Sequence, residues 1–277
     1  MRLWQVRCIA MAVAHAPKCT SVNTSNTGAE RLRNAILAAP QPALLPFFTA
    51  GHPSRKEFRA TLRQLAQAGD VVEIGVPFSD PMADGVTIQR ASEAALADGT
   101  TLEWILSELE AGDDPGVPLV LMSYANPLLA YGIDRLAQRC ARCHVGGLIV
   151  PDLPWEESGD IRKLLDEHGI ALVQMVTPAT PEARMRTLCE GSGGFVYAVT
   201  VTGVTGGERR VSQDMTAYMQ KVGEYSGLPV CAGFGVRSAV QVEALSGVAH
   251  GVIVGSAVVD CLERGKDAGA FLRSLRA

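Results

Sequence analysis

Short apolar runs alternate with longer segments of helical period along most of this 277-residue chain. This alternation predicts βα units and a parallel sheet. The runs are nearly continuous in apolar character, as expected for strands that are covered on both faces. The eight strand candidates are ALLPFFTA, VVEIG, PLVLMS, GGLIV, ALVQMV, GFVYAVT, PVCAG and GVIVG.

Eight such units over about 230 residues predict a (β/α)8 barrel, a fold of about 250 residues. We therefore expect an α/β fold, a single-domain (β/α)8 TIM barrel over residues 30–277. The preceding segment TGAERLRNAILAA predicts an extra N-terminal helix that covers the bottom of the barrel. The polar composition before it predicts a disordered extension over residues 1–29. A doubly wound open sheet is the alternative, but no G-x-G-x-x-G motif follows the first strand.

Composition and charge exclude several classes of function. Hydrophobic residues make up 47% of the chain and charged residues 19%, which allows a large core. The net charge of -4 provides no basic field, so we expect no nucleic-acid partner. No apolar run reaches the roughly 20 residues needed to cross a bilayer, so we expect no membrane association. The run Cys8–Ala14 is short for a signal peptide and Arg7 abuts it, so we expect a cytoplasmic protein.

The seven cysteines are an odd number for a disulfide framework, and most lie in or beside apolar stretches. One group, Cys140, Cys143 and His144, matches the C-x-x-C-H signature of c-type haem attachment. These residues end an amphipathic segment just before a strand candidate. We therefore favour core packing of reduced thiols at a helix–strand junction.

The barrel prediction directs attention to the carboxyl ends of the strands, where barrel active sites form. Glu73 lies near the end of the second strand, and burial there would raise its pKa and suit it to proton transfer. The alternative is an internal ion pair, but no strand candidate contains Lys or Arg. In the following loop, Asp84 could accept a hydrogen bond from a substrate N–H, while Asp80 precedes a proline and suits a turn. We expect no metal, because this loop contains no histidine.

Glycine-rich turns follow the last two strands and contain Gly233, Gly235, Gly255 and Ser256. Glycines let backbone N–H groups approach an anion, and the loops after strands seven and eight of barrels often bind phosphate. Close backbone packing is the alternative. These features together fit an aldol or isomerase reaction on a sugar phosphate.

The segment VTVTGVTGGERR after the sixth strand has the composition of a mobile lid, and Gly206 within it could donate its N–H to the phosphate. Tyr197, on the sixth strand, points inward if the alternation holds. Its more common role would be core packing with a satisfied hydroxyl.

Seven segments in this order closely resemble the tryptophan synthase α-subunit family. They are FFTAGHPS, EIGVPFSDPMADGVTIQRA, LMSYANPLLAYG, VPDLPWEES, GVTG, AGFGV and VGSAVV. The resemblance covers roughly residues 42–259, and the second segment is long and highly specific. It implies a lyase of tryptophan biosynthesis that cleaves indole-3-glycerol phosphate to indole and D-glyceraldehyde 3-phosphate by a retro-aldol reaction.

The resemblance also implies roles for individual residues. Glu73 matches the general acid–base glutamate, and Asp84 matches the aspartate that binds the indole N–H. The positions that match substrate-binding residues are Tyr197, Met122, Phe234, Gly206, Gly235, Gly255 and Ser256. The segments Pro77–Asp84 and Thr202–Gly207 match two mobile loops. His52 stands where the family often has aspartate, which puts the hydrogen bonding between loops in doubt.

The resemblance implies a tryptophan synthase β subunit as partner, in an α2β2 heterotetramer through which indole passes in a tunnel. It implies no cofactor in this chain, because pyridoxal phosphate is expected only in the β subunit. The alternatives are a stand-alone indole-3-glycerol-phosphate lyase, another phosphate-binding barrel such as an aldolase or isomerase, and a non-catalytic regulatory subunit. A Schiff-base aldolase would need a lysine at the barrel mouth, and none is placed there.

Overall fold

The computed structural model of the chain describes residues 27–200, 212–233 and 235–276. Eight parallel strands pair in chain order, and the eighth strand pairs with the first to close a barrel. All eight strand predictions are therefore confirmed, and the open-sheet alternative is wrong. The strands are β1 (Ala43–Thr49), β2 (Val72–Gly75), β3 (Leu119–Met122), β4 (Val145–Ile149), β5 (Ala171–Val176), β6 (Val196–Val199), β7 (Val230–Gly233) and β8 (Gly251–Val254).

Helices surround the barrel, as the predicted βα units require. The described helices are α1 (Gly28–Ala38), α2 (Phe58–Ala66), α3 (Val86–Ala97), α4 (Leu102–Glu110), α5 (Ala125–Tyr131), α6 (Ile133–Arg142), α7 (Gly159–Glu167), α8 (Glu182–Glu190), α9 (Gln213–Ser226), α10 (Ala239–Ala244), α11 (Ser256–Glu263) and α12 (Ala268–Ser274). Among the described residues, no helix is long and apolar enough to cross a membrane.

Helix α1 closes the amino end of the barrel. A capping box formed by Thr27 and Glu30 starts the helix, and Leu32 and Ile36 are fully buried in the same cluster as the inward-facing strand residues. A Cβ atom on Gly28 would lie 2.7 Å from the Cα of Gly146 on β4, so only glycine permits this close approach. The predicted extra helix is confirmed. Helix α1 begins at Gly28, two residues before the predicted start of the barrel domain at residue 30. Residues 1–26 lie outside the described part of the chain.

The core has two layers, because successive strand residues point to opposite faces. On β1, Leu45 and Phe47 belong to the cluster inside the barrel, whereas Leu44 and Phe48 pack against the surrounding helices. All seven residues of β1 are buried. Burial on both faces explains why the strands are nearly continuous apolar runs in the sequence.

The cysteines of the C-x-x-C-H segment lie in the layer between strands and helices. Cys140 and Cys143 are buried, and the Cys143 thiol donates to the Arg139 carbonyl at 2.8 Å. Burial raises the pKa of Cys143 to about 11 and raises that of Cys140 further. Both thiols are therefore protonated at neutral pH, and the core-packing interpretation is confirmed.

Candidate active site

A cavity of about 430 Å³ lies at the carboxyl ends of the strands. This is the end of a (β/α)8 barrel at which active sites form. Its described lining contains seven of the nine residues predicted from the sequence as site residues: Glu73, Asp84, Met122, Tyr197, Gly235, Gly255 and Ser256. The other two, Gly206 and Phe234, lie outside the described residues, as does the predicted lid segment Thr202–Gly207.

Glu73 lies inside the barrel, where strand β2 aligns it with Phe47 of β1 and Val120 of β3. The side chain is 2% exposed, and its Oε2 atom has no hydrogen-bond partner among the residues that the structure describes. Burial raises the pKa of Glu73 to about 8, and the nearby carboxylate of Asp84 adds to this rise. A carboxyl group with this pKa can donate or accept a proton near neutral pH.

Two glycines make room for the rings that line the cavity. A Cβ atom on Gly75 would lie 2.5 Å from the Phe47 ring, and one on Gly233 would lie 2.7 Å from the Tyr197 hydroxyl oxygen. Larger residues at these positions would displace the rings, because Cβ contacts shorter than 3.0 Å are essentially absent from real structures. The sequence context suggested a backbone role for Gly233, and the structure shows that it accommodates a side chain.

Asp84 lies in the loop between β2 and α3, and hydrogen bonds hold the loop around it. Its N–H donates to the Pro81 carbonyl at 3.1 Å, and its carbonyl accepts from the Gln89 side chain at 2.8 Å. Burial raises the pKa of the Asp84 carboxyl, and a hydrogen bond with Tyr124 opposes this rise. The loop therefore places a second carboxylate near Glu73 in the cavity.

Sequence reasoning missed Tyr124 as a site residue. The Tyr124 hydroxyl accepts the Ala83 N–H at 2.9 Å and hydrogen-bonds the Asp84 carboxyl, and its ring contacts Phe78 at 5.2 Å between centroids. Burial raises the pKa of Tyr124 to about 12, so the hydroxyl stays protonated. Its position two residues after β3, at the carboxyl edge of the barrel, was the signal that could have identified it.

Tyr197 on β6 faces the cavity, as the strand alternation predicts. Its pKa is well above the usual value, first because of burial and second because of the charge on Glu73. The Tyr197 hydroxyl is therefore a neutral hydrogen-bond donor. Met122 and Met175 line the cavity from β3 and β5 and provide an apolar wall.

The glycine-rich turns after β7 and β8 also line the cavity. Gly235 has a φ of 63°, a left-handed conformation that favours glycine, and Gly255 precedes the first residue of α11, Ser256. The first N–H groups of a helix have no partner within the helix and carry partial positive charge. Such an end suits an anion such as phosphate.

Asp80 and His52 lie outside this cavity lining. Asp80 is exposed, and its hydrogen bonds are local: its carboxylate accepts from Ser79 Oγ at 2.5 Å, and its carbonyl accepts from the Met82 N–H at 2.9 Å. His52 is buried, and neither ring nitrogen has a hydrogen-bond partner among the described residues. Burial lowers the pKa of His52, so its ring is neutral at pH 7. Asp80 thus shapes the loop, and the His52 ring makes no hydrogen bond to another described loop.

Residues 27–200, 212–233 and 235–276 contain no cluster of three or more His, Cys, Asp or Glu side chains that could hold a metal ion. The fold and the cavity together define a (β/α)8-barrel protein with a buried acid and a candidate anion site at its mouth.

Comparisons with known proteins identify the family. A sequence profile described as "Tryptophan synthase alpha chain" matches residues 34–274. The tryptophan synthase alpha chain of Bacillus cereus (strain AH820) is 43% identical over 241 residues, which cover 86% of this chain and 93% of that protein. The corresponding protein of Bacillus thuringiensis subsp. konkukian (strain 97-27) is 42% identical over the same lengths.

Solved structures agree with the sequence comparisons. The chain matches tryptophan synthase from M. tuberculosis in its open form with a TM-score of 0.81 and 34% identity, covering 90% of this chain and 97% of that one. It matches tryptophan synthase subunit alpha from Legionella pneumophila str. Paris with a TM-score of 0.80 and 30% identity, covering 91% and 97%. The chain belongs to the tryptophan synthase alpha chain family.

Proposed function

We propose that this cavity cleaves indole-3-glycerol phosphate to indole and D-glyceraldehyde 3-phosphate, with Glu73 as general acid–base. Members of the tryptophan synthase alpha chain family are lyases, and this chain acts as one in tryptophan biosynthesis. The observation that carries the assignment of Glu73 is its position: a buried carboxyl group with an unpartnered Oε2 atom among the described residues, beside Asp84 in the cavity.

The proposed reaction begins with protonation of the indole ring. Because its pKa is about 8, Glu73 is mostly protonated at pH 7 and donates this proton to C3 of the indole. The bond between C3 and the glycerol chain then breaks, and its electron pair returns to the indole ring. The adjacent glycerol hydroxyl becomes the aldehyde carbonyl as the Glu73 carboxylate takes up its proton. Glu73 is thus returned to its starting state.

Asp84 stabilises the positive charge that develops on the ring after protonation at C3. In the proposed binding mode, its carboxylate accepts a hydrogen bond from the indole N–H. Tyr124 restrains this carboxylate, which reduces the reorganisation needed during the reaction. Met122 contacts the apolar ring in this binding mode, and Phe234 is proposed to contact it as well. Tyr197 contacts the substrate from β6.

The substrate phosphate binds at the glycine-rich end in this proposal. Gly235, Gly255 and Ser256 line the cavity there, and the N-terminus of α11 directs its partial positive charge toward the same end. Gly206 is proposed to donate its N–H to the phosphate as well. The phosphate would hold the glycerol chain between this end and Glu73.

The substitution Glu73→Gln tests the proposed role directly. It keeps the size of the side chain and removes its acid–base function, so we expect indole release to fall by at least about 10³-fold. Asp80→Asn is the matched control, because Asp80 is an exposed carboxylate in the loop after the same strand. Near-normal turnover of Glu73→Gln, with Asp80→Asn unaffected, would contradict the assignment.

Family membership implies a tryptophan synthase β subunit as partner, and we propose an α2β2 heterotetramer through which indole passes between the two sites. Large apolar side chains are exposed in the loop after β2 (Met82), at the first residue of α3 (Val86) and on α5 (Leu129). They support a docking surface at the cavity end of the barrel. Pyridoxal phosphate would then belong to the β subunit, and the absence of a cofactor from this chain remains a prediction.

Measuring indole release with and without a β subunit separates the complex from the stand-alone lyase. A large rise on addition of the partner is expected if the heterotetramer is the working form, whereas full activity alone would favour the stand-alone enzyme.

We also propose a cytoplasmic location. Five described cysteines are free and buried, which suits a reducing compartment.

A further inference from the structure

Among the residues that the structure describes, Arg237 is the one cationic side chain that lines the cavity. The same lining contains two acidic side chains, Glu73 and Asp84. The substrate in the proposed function carries a phosphate with up to two negative charges. The glycine-rich turns provide only backbone dipoles and a hydroxyl, so the position of this cation bears on how the phosphate is held.

The Arg237 guanidinium lies beside the first turn of α11. It follows β7 in the loop that contains Gly235, and its Nη2 atom lies 3.3 Å from the Ser256 hydroxyl oxygen. Its backbone N–H donates to the Gln241 side chain at 2.7 Å, which holds the loop in place. One donor edge of the guanidinium is thus next to a residue assigned to phosphate binding.

Asp260 positions the guanidinium. Nη1 of Arg237 donates to Asp260 Oδ2 at 2.8 Å, and Thr87 Oγ1 donates to the other carboxylate oxygen at 3.4 Å. Because Asp260 lies four residues after Ser256 on α11, both face the same side of the helix. Hydrogen bonding to Arg237 lowers the pKa of Asp260, so the carboxylate is charged at neutral pH.

The ion pair with Asp260 leaves other donors of the guanidinium available. A guanidinium has five N–H donors in a fixed plane, and the contacts to Asp260 and Ser256 use only part of them. The Arg237 side chain is 55% exposed, so it can turn toward an incoming anion without breaking a buried contact. Arginine binds phosphate with charge-assisted and often paired hydrogen bonds.

We propose that Arg237 is a phosphate-binding residue of this chain, held by Asp260 so that its guanidinium binds the substrate phosphate next to Ser256. This inference rests on the proposed function for its substrate. It adds a charged group to a phosphate site that the sequence motifs describe only by glycines and a serine. Asp260 acts as a positioning residue, since it contacts the guanidinium but does not itself line the cavity.

The test compares Arg237→Gln with the wild type in steady-state cleavage of indole-3-glycerol phosphate. We expect KM to rise about tenfold, the effect of losing one charge-assisted hydrogen bond, with kcat changed by less than about threefold. Arg237→Lys retains the charge but not the planar set of donors, so its KM should lie between those of wild type and Arg237→Gln. Equal KM values for Arg237→Gln and wild type would overturn the proposal, as would an Arg237→Lys variant as weak as Arg237→Gln.

Arg90→Gln is the matched control. Arg90 also pairs with a carboxylate of α11, Glu263, at 2.5 Å, but it does not line the cavity. Its removal should leave KM unchanged, and a KM rise equal to that of Arg237→Gln would show a general effect of ion pairs on α11 and contradict a direct phosphate contact. Thermal unfolding of each variant checks that the fold is retained, as expected for half-exposed side chains.

A separate binding measurement distinguishes this inference from the proposed function. Isothermal titration with inorganic phosphate measures the anion site without any reaction, and Arg237→Gln should bind phosphate about tenfold more weakly than wild type. A wild-type protein that releases no indole would refute the proposed function, and the phosphate titration would still test Arg237. Equal phosphate affinity in both proteins, or no measurable binding in either, would overturn the role of Arg237.

Discussion

The raised pKa of Glu73 makes a prediction about stability as well as about activity. The folded protein binds the Glu73 proton more tightly than the unfolded chain does, because the pKa is about 8 in the fold and 4.5 in its ordinary environment. The stability of the fold is therefore greatest below the unfolded pKa and is lost progressively as pH rises through the folded pKa. Glu73→Gln cannot ionise, so this loss should be absent from the variant.

The size of the effect follows from the two pKa values. Because Glu73 ionises in the unfolded chain at lower pH than in the fold, the free energy of unfolding falls by about 1 kcal/mol at pH 5 and about 4 kcal/mol at pH 8, relative to its value at low pH. The difference in free energy of unfolding between Glu73→Gln and wild type should therefore grow by about 3 kcal/mol over this range. Any cost of an unpaired buried amide does not change with pH and cancels from the comparison.

Urea unfolding of the two proteins at several pH values between 5 and 8 measures this difference. With a slope of about 3 kcal/mol per molar urea, the urea midpoint of Glu73→Gln should rise by about 1 M relative to that of wild type between pH 5 and pH 8. Glu263→Gln is the control, because the Glu263 pKa is lowered by Arg90 and its carboxylate stays ionised throughout this range. Parallel curves for Glu73→Gln and wild type would refute the argument that burial controls the Glu73 proton.

Three further substitutions test the site. Asp84→Asn should lower kcat by about 100-fold. It should also move the alkaline limb of the pH–rate profile to lower pH, because removal of the Asp84 charge lowers the pKa of Glu73. An unshifted limb would contradict this coupling between the two carboxyl groups. Tyr124→Phe removes the hydroxyl that accepts the Ala83 N–H and hydrogen-bonds Asp84. We expect kcat/KM to fall about tenfold, with a stability loss of about 1 kcal/mol by urea unfolding. Gly233→Ala places a Cβ atom 2.7 Å from the Tyr197 hydroxyl oxygen. It should destabilise the fold by about 1–3 kcal/mol in urea unfolding and raise KM. An unchanged KM would show that Tyr197 is not displaced.

The barrel could be predicted from the sequence because its strands are buried on both faces. Burial of this kind makes each strand a continuous apolar run, and β1 and β5 have the bounds that their runs suggested within one residue. Strand β4 begins one residue earlier than predicted, at Val145. Its pairing with β3 shifts register between Leu119 and Val120, a feature of the pairing that no single strand reveals.

The positions of Glu73 and Asp84 at the carboxyl edge also followed from the sequence, because Glu73 lies near the end of β2 and Asp84 lies in the loop that follows it. Tyr124 and Arg237 did not follow in the same way. Tyr124 acts on the Asp84 loop, about 40 residues earlier in the chain, and Arg237 is held by Asp260 on a different element. Side-chain directions across two loops depend on their packing, which local sequence patterns do not contain.

Cleavage of indole-3-glycerol phosphate in deuterated water tests the central claim most directly. If Glu73 protonates C3 of the indole, its exchangeable proton is a deuteron in this solvent, and the released indole should carry one deuterium at C3. The amount of indole should equal that of glyceraldehyde 3-phosphate, and Glu73→Gln should form neither at a measurable rate. Unlabelled indole, or labelled indole formed equally fast by Glu73→Gln, would contradict the account.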